Sequence, residues 1–244
     1  MIKLERTVVM GMESAIRGMR NPMNSWDKSD SVICTDRETC EDCPCRDSAR
    51  HGGCTRHELD PFVIGPNDHD LAMRLIKGGP VEAKFRRQIF VSVDITAPLY
   101  WWKEFDTYKV GTVANSCSTM HKIHAKEFTR EDFSCERLLG DKGCAVGWGY
   151  EDFDDIGVLD LVIAMLNHNR EAFIETKDKR FWDCMIQLLP TSYNQMRTIT
   201  FNYEVLAGMY KSRKNHKLQE WRDLCEWALT LPYPEFITGK VSEE

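Results

Sequence analysis

The chain lacks any long, uninterrupted hydrophobic run. No window of about 18 apolar residues occurs in the sequence, so it predicts no membrane-spanning helix. The opening segment MIKLERTVVMGMESAIRGMR carries charges inside its apolar part and has no small-residue cleavage site, so no signal peptide is predicted. From these two absences we expect a cytoplasmic location.

The sequence also lacks an excess of positive charge. Its 244 residues include 32 Lys and Arg against 38 Asp and Glu, which gives a net charge of −6. Non-specific binding to nucleic acid needs a basic surface, so no direct DNA binding is expected. A small anion held by a few local cations stays compatible with this balance. We find no internal repeat and no low-complexity segment, and we interpret 1–244 as a single domain.

Helical and strand patterns mix without strict alternation, which predicts an α+β fold with a mixed sheet and long helices. RQIFVSVDI places alternate apolar residues on one side, as in a strand: Ile89, Val91, Val93 and Ile95. MIKLERTVVM predicts another strand, and NDHDLAMRLIKG predicts a helix. Apolar periodicity predicts two helices between residues 155 and 189. The segment from Thr198 to Leu231 is interpreted as one long helix or two joined helices.

Cysteine is abundant, with ten residues in the chain. Five of them fall in an apparent insertion at about 31–60: Cys34, Cys40, Cys43, Cys45 and Cys54. Short Cys-x-x-Cys spacing supplies two thiolates to a tetrahedral zinc ion, so the sequence predicts a structural zinc site here. An iron–sulfur cluster fits the spacing less well. A cysteine-rich loop without metal, or with disulfides, is the other alternative.

A line of polar residues follows the predicted closing helix. Asn202 and Arg213 lie about three turns apart, and His216 and Glu220 follow at helical spacing. Arginine suits phosphate because its planar fork donates two hydrogen bonds at once. The alternative is a solvated helix face with a local His–Glu pair.

The segment WWKEFDTYKVGTVANSCSTMH, residues 101–121, mixes aromatic, charged and small polar residues around one cysteine, Cys117. Its aromatic residues could stack on a base or a flavin, or could form core and subunit interface. A Cys117 thiolate could add to C6 of a uracil ring and so activate C5 as a nucleophile. The alternative is a small buried residue that only packs.

Three blocks of the sequence resemble the flavin-dependent thymidylate synthases, also called thymidylate synthase complementing proteins. The first is AKFRRQIFVSVDITAPLYWWKEFDTYKVGTVANSCSTM, which is similar to the family's strand, Ala-Pro-led helix and signature loop. The second is LLP followed by TFN, with the family's spacing from Pro190 to Asn202. The third runs from Asn202 through Arg213 to HKLQEW. Together the blocks cover roughly residues 68–230.

The resemblance implies a thymidylate synthase-like fold, a homotetramer with sites at subunit interfaces, FAD as cofactor and dUMP as substrate for methylation at C5. It implies substrate-binding roles for Lys103, Glu104, Asn115 and Arg213, and cofactor-binding roles for Tyr108, Lys109, Asn202 and His216.

The signature itself departs from the family pattern. Thr107, Tyr108 and Lys109 stand at its Arg-His-Arg, Cys117 stands at its Ser, and Thr119 stands at another Arg. The two threonines remove two fixed cations and their bidentate donors. We therefore expect a diverged protein that binds or modifies a dUMP-like pyrimidine nucleotide. The alternative is a catalytically inactive nucleotide-binding or scaffold protein with a metal-binding cysteine lobe.

Overall fold

The computed structural model describes residues 2–33, 62–139, 146–147 and 152–240. The strands are β1 (Lys3–Met10), β2 (Val32–Ile33), β3 (Phe62–Val63), β4 (Phe90–Pro98), β5 (Val113–Ser116), β6 (Val146–Gly147), β7 (Asp152–Phe153) and β8 (Asn194–Asn202). The α-helices are α1 (Met12–Arg20), α2 (Pro66–Gly78), α3 (Leu99–Phe105), α4 (Asp155–Thr176), α5 (Lys179–Leu188), α6 (Tyr203–Arg213), α7 (Gln219–Ala228) and α8 (Glu235–Thr238). Short 3₁₀ helices include Glu82–Gln88 and Asp106–Tyr108.

The main sheet of the described residues has the strand order β1-β4-β8-β5. In and just before β4 the alternation expected from the sequence is confirmed, because Ile89, Val91, Val93 and Ile95 are all buried. β1, α2, α4 and α5 also lie where the sequence predicts them. The α+β assignment is therefore confirmed. β5 has no counterpart among the predicted elements, since its residues Val113–Ser116 are all exposed and carry no apolar alternation.

The prediction of a helix from Thr198 onward is wrong in its first turn and a half. Residues up to Asn202 belong to β8, where Ile199 and Phe201 are buried while Thr198 is exposed. Alternating Thr with Ile and Phe is a strand pattern, because β-branched and aromatic side chains fit a pleated surface. The helix begins at Tyr203, where the Asn202 side-chain oxygen accepts a hydrogen bond from the backbone N–H of Val205 at 3.0 Å.

The described chain forms two compact units. One contains Thr96–Thr107 and Asn115–Arg197. Its core contains Ile123, Phe128, Phe133, Leu159, Leu166 and Met185. Helices α4 and α5 pack against each other, and Asp154 caps α4 by accepting a hydrogen bond from the Gly157 N–H at 2.6 Å. Asp154 is therefore the N-cap of this helix, where a carboxylate is favoured.

The other unit contains Leu4–Ile95, Tyr108–Ala114 and Thr198–Glu244. Helix α1 packs against the 3₁₀ helix Glu82–Gln88, and α6 packs against α7 and α8. Its most buried side chains include Met12, Ile16, Phe201, Tyr203, Trp221 and Phe236. The single-domain interpretation of 1–244 stays a prediction.

Helix α2 is joined to the segment before β2 by a reciprocal set of polar contacts. The Asp30 carboxylate accepts the backbone N–H groups of Asn67 and Asp68 at the start of α2, at 2.9 and 3.1 Å. The buried Asp68 carboxylate in turn accepts hydrogen bonds from Ser29, Ser31 and Arg20. These contacts hold together the chain segments on either side of the β2–β3 pair, whose register aligns Val32 with Val63.

Two further sequence predictions concern a membrane-spanning helix and a metal site. None of the helices described is long and apolar enough to cross a membrane. The five proposed metal ligands, Cys34, Cys40, Cys43, Cys45 and Cys54, lie outside the described residues, so the zinc site stays a prediction. Within residues 2–33, 62–139 and 152–240, no group of three or more His, Cys, Asp or Glu is placed to hold a metal ion.

Candidate functional site

Arg213, the last residue of α6, lies against two aromatic rings. Its Nε donates a hydrogen bond to the Tyr108 hydroxyl at 2.9 Å. Its guanidinium carbon lies 4.7 Å from the ring centroid of Trp221 and 5.7 Å from that of Tyr108. The His216 ring lies 6.3 Å from Trp221 in an edge-on arrangement. We call Tyr108, Arg213, His216 and Trp221 the Arg213 cluster.

The turn between α6 and α7 fixes the orientation of His216. Its Nδ1 accepts a hydrogen bond from the backbone N–H of Leu218 at 3.2 Å. Arg222, on α7, donates to the backbone carbonyls of His216 and Lys217 and so closes the turn. Because Nδ1 accepts here, a neutral His216 ring carries its proton on Nε2.

The polar line expected from the sequence does not share one helix face. Asn202 caps the start of α6, Arg213 ends it, and His216 lies in the following turn. Glu220 belongs to α7 and is only 1% exposed, so the alternative of a fully solvated face is wrong as well. The physical reason is the break between Arg213 and Gln219, which interrupts the 3.6-residue period.

A tight turn after Tyr108 holds Lys109 at the surface. The Thr112 hydroxyl donates to the Tyr108 carbonyl at 2.7 Å, and the Thr112 N–H donates to the Lys109 carbonyl at 3.3 Å. Gly111 has φ +82°, and a Cβ there would lie 2.9 Å from a Val205 methyl group at the start of α6. Glycine is therefore required both for the backbone conformation and for the close approach.

Cys117, the proposed nucleophile, is exposed, so the alternative of a small buried packing residue is wrong. Its backbone is held at both ends. The Cys117 N–H donates to the Met196 carbonyl at 2.9 Å, and the Cys117 carbonyl accepts from Gln195 Nε2 at 2.6 Å. The thiol therefore projects from a fixed backbone.

The Gln195 amide is itself oriented by Arg197. Arg197 Nε donates to Gln195 Oε1 at 3.0 Å, which leaves Nε2 as the donor toward Cys117. The Arg197 guanidinium lies 4.2 Å from the Trp102 ring centroid and pairs with Asp106 at 2.8 Å. A series of side-chain contacts thus runs from α3 to the backbone of Cys117.

The remaining predicted site residues lie on or near α3 and on β5. Lys103 and Asn115 are exposed, and Glu104 is half-buried. The Thr107 hydroxyl donates to the Glu104 carbonyl at 2.8 Å, which closes the end of α3. Three of the four aromatic residues of this helix, Trp101, Trp102 and Phe105, are buried against one another, which confirms the core interpretation for these three.

The structure brings together Tyr108, Arg213 and His216, and it places Lys109 and Asn202 on the two segments that meet at Gly111. Lys103, Glu104, Asn115 and Cys117 belong to the compact unit that contains α3. Sequence reasoning missed Trp221 and Gln195. The Trp of HKLQEW was a usable signal for the first, because buried tryptophans often pack on arginine. Gln195 carries no such signal.

Solved structures of two other proteins are similar to this fold. A flavin-dependent thymidylate synthase ThyX from Helicobacter pylori, solved with FAD and dUMP, matches 95% of this chain and 96% of its own, with a TM-score of 0.60 at 14% identity. A UMP/dUMP methylase PolB from Streptomyces cacaoi, bound with 5-Br dUMP, matches 100% of this chain and 97% of its own, with a TM-score of 0.57 at 13% identity. No protein-family model and no curated protein matches the chain.

These likenesses show a ThyX-like fold over nearly the whole chain. At this level of identity they show the fold alone, so ligand and activity must be argued from the residues.

Proposed function

We propose that this protein binds a pyrimidine nucleoside monophosphate and that Arg213 meets its phosphate. The observation that carries the proposal is the placement of Arg213. It is an arginine that lies against the rings of both Tyr108 and Trp221, in a fold shared with two proteins solved with dUMP or 5-Br dUMP. A guanidinium recognises phosphate through paired donors in one plane.

The Arg213 cluster is preorganised for this role. A cation over an aromatic face is stabilised by the ring, and the Tyr108 hydroxyl sets the rotation of the guanidinium plane. An arginine that is ordered before binding loses less side-chain entropy when the ligand arrives. Lys109, exposed in the turn after Tyr108, carries a second positive charge on the same segment.

We further propose that the exposed Cys117, as its thiolate, adds reversibly to C6 of the uracil ring of a nucleotide. The new S–C6 bond places negative charge at C5, which takes a proton from water. Loss of the original C5 hydrogen and elimination of the thiolate then regenerate the starting ring. This cycle exchanges the C5 hydrogen with solvent and needs no other reactant.

The residues at the signature positions fit FAD only in part. The Thr107 hydroxyl is engaged with the Glu104 carbonyl, and the Tyr108 hydroxyl accepts a hydrogen bond from Arg213. Of the three signature residues Thr107, Tyr108 and Lys109, only Lys109 is positively charged, whereas FAD has two phosphates. When bound, a flavin would supply redox chemistry, with Lys109 holding a phosphate and Tyr108 beside it.

The second candidate function is a nucleotide-binding protein without catalysis, and the same internal engagement of Thr107 and Tyr108 favours it. Visible flavin absorbance in the purified protein separates the two. A yellow protein supports a flavin enzyme, whereas a colourless protein that binds dUMP supports the binding protein.

Calorimetric titration with dUMP and UMP tests the nucleotide proposal. A charged hydrogen bond contributes roughly 1.5–3 kcal/mol, so Arg213→Ala should weaken binding roughly ten- to a hundred-fold. Arg213→Lys should recover only part of the affinity, because an ammonium group lacks the planar fork. Lys211→Ala, an exposed cation on the same helix, is the matched control and should bind like wild type.

Two results would overturn the proposal. Equal binding by wild type and Arg213→Ala, with both folded, would remove Arg213 from the site. Absence of any dUMP or UMP binding by wild type would remove the nucleotide itself and leave the scaffold alternative.

A further inference from the structure

Tyr193, the residue before β8, lies beside the segment that carries Cys117. The first residues of β8 hold that segment: the Met196 carbonyl accepts the Cys117 N–H at 2.9 Å, and Gln195 Nε2 donates to the Cys117 carbonyl at 2.6 Å. Side chains two residues apart on an extended chain point to the same side. The Tyr193 side chain therefore leaves the chain on the side from which Gln195 reaches Cys117.

The Tyr193 ring is held in place, but its hydroxyl is not engaged. The ring packs edge-on against Phe128 and Phe133, with centroid distances of 6.2 and 5.6 Å, and the backbone forms a bridge with Phe133. Among the residues that the structure describes, the Tyr193 hydroxyl has no hydrogen-bond partner. A partly buried phenol without a partner has both its proton and its oxygen lone pairs available to a ligand.

Three ionisable side chains act on the Tyr193 hydroxyl. Burial raises the pKa of this phenol most, negative charge on Asp132 or Cys117 raises it further, and the Lys126 ammonium lowers it. Lys126 itself pairs with Asp132. The phenol therefore keeps its proton near neutral pH, and a positive charge is close enough to favour the phenolate that forms when the proton leaves.

We propose that Tyr193 is the general acid that delivers a proton to C5 of the uracil ring after Cys117 has added to C6. This inference rests on the Cys117 step of the proposed function, in which C5 becomes negatively charged. A neutral phenol beside the nucleophile is the group that this step requires, because general acids act by donating a proton to the atom on which charge develops.

The proton transfers balance without any other reactant. The Tyr193 O–H bond breaks as the new C5–H bond forms, and the negative charge passes from the ring to the phenolate. The phenolate takes a proton from water, and the resulting hydroxide removes the original C5 hydrogen from the opposite face of the ring. The C5=C6 bond then re-forms as the Cys117 thiolate leaves, so one C5 hydrogen has been exchanged with solvent.

Deuterium uptake at C5 of saturating dUMP in heavy water, followed by mass spectrometry, tests this role. Tyr193→Phe keeps the ring that packs on Phe128 and Phe133, and it should slow the exchange roughly 10²- to 10⁴-fold, the usual contribution of a general acid. Its affinity for dUMP and the rate at which iodoacetamide alkylates Cys117 should equal those of wild type. Tyr210→Phe, which removes a half-buried hydroxyl on α6, is the matched control and should exchange at the wild-type rate.

Lys126 gives a second variant that leaves the phenol intact. Lys126→Gln removes the charge that favours the phenolate, so it should slow the exchange roughly 2- to 5-fold without changing dUMP affinity. Lys122→Gln, an exposed cation four residues earlier, should have no effect on either quantity.

The possible results separate this inference from the proposed function. Exchange at the wild-type rate in Tyr193→Phe would overturn the role of Tyr193 and leave the Cys117 addition in place. Weaker dUMP binding or slower Cys117 alkylation in this variant would make the hydroxyl a structural group and would also overturn the role. If wild type binds dUMP but exchanges no C5 hydrogen, the Cys117 step and the Tyr193 step both fail, while the nucleotide site stands.

Discussion

Cys117 is the residue whose proposed chemistry gives the most direct signal. If its thiolate adds to C6, the protein should exchange deuterium at C5 of dUMP with water, which mass spectrometry of the recovered nucleotide measures. Cys117→Ser should lower the exchange to the rate in buffer alone, because a neutral hydroxyl is a far weaker nucleophile than a thiolate. Normal dUMP binding by the variant shows that the loss is chemical.

Two other cysteines serve as references for this experiment. Cys184 is exposed on α5, so Cys184→Ser should exchange at the wild-type rate. Cys225 is buried, and burial raises the pKa of its thiol to about 11, so it stays protonated near neutral pH. Undiminished exchange in Cys117→Ser would remove Cys117 from the reaction and leave binding as the function.

At the scale of elements, the contacts around Asp68 should determine how firmly α2 is held. Asp68 is fully buried beside Arg20, which is 4% exposed. Asp68→Asn leaves the Arg20 charge buried without its partner, so the free energy of unfolding should fall by roughly 3–5 kcal/mol. Urea denaturation at neutral pH measures this. Asp70→Asn, an exposed change on the same helix, should alter stability by less than about 0.5 kcal/mol.

The Asp68 carboxyl should also make the free energy of unfolding depend on pH. Burial acts to raise the pKa of Asp68, but hydrogen bonds from Ser31, Ser29 and Arg20 outweigh it and hold the pKa below its usual value. The stabilisation is therefore present above the unfolded-state pKa, near about 3.9, and is lost as pH falls through the folded-state pKa. Acid should destabilise wild type more steeply than Asp68→Asn, and parallel curves would contradict this account.

The secondary-structure elements differ in how well they could be predicted from the sequence. β4 was predictable because one face is buried and the alternation is complete from Ile89 to Ile95. β8 was missed because its strand pattern continues directly into the helical pattern of α6, with Asn202 capping the junction. The contact between Tyr108 and Arg213 joins residues 105 positions apart, and no local pattern encodes such a pairing.

At the scale of the whole molecule, the resemblance predicted the fold where local patterns did not, and the structural neighbours confirm a ThyX-like fold at 13–14% identity. A match over 95–100% of this chain at 13–14% identity shows a shared fold, and a shared fold does not by itself determine ligand contacts. The zinc site predicted at Cys34, Cys40, Cys43, Cys45 and Cys54 was inferred from cysteine spacing alone, and the resemblance to the family lends it no support.

An exposed apolar surface on α4 allows the predicted homotetramer to be tested by mutation. On α4, Val158, Leu161 and Met165 recur at helical spacing and are 50%, 54% and 45% exposed, which makes an apolar stripe beside the buried face of the helix. Contiguous apolar patches on a protein surface often mark protein–protein interfaces, so we expect a partner subunit to cover this stripe. We expect light scattering at micromolar concentration to give the tetramer mass for wild type. Leu161→Glu should give a smaller species, because it places a charge in the buried interface.

Ile174→Glu is the matched control, since Ile174 is 41% exposed but lies on a different side of α4. A strictly monomeric wild type would rule out the assembly, and equal masses for all three proteins would rule out this stripe as its interface.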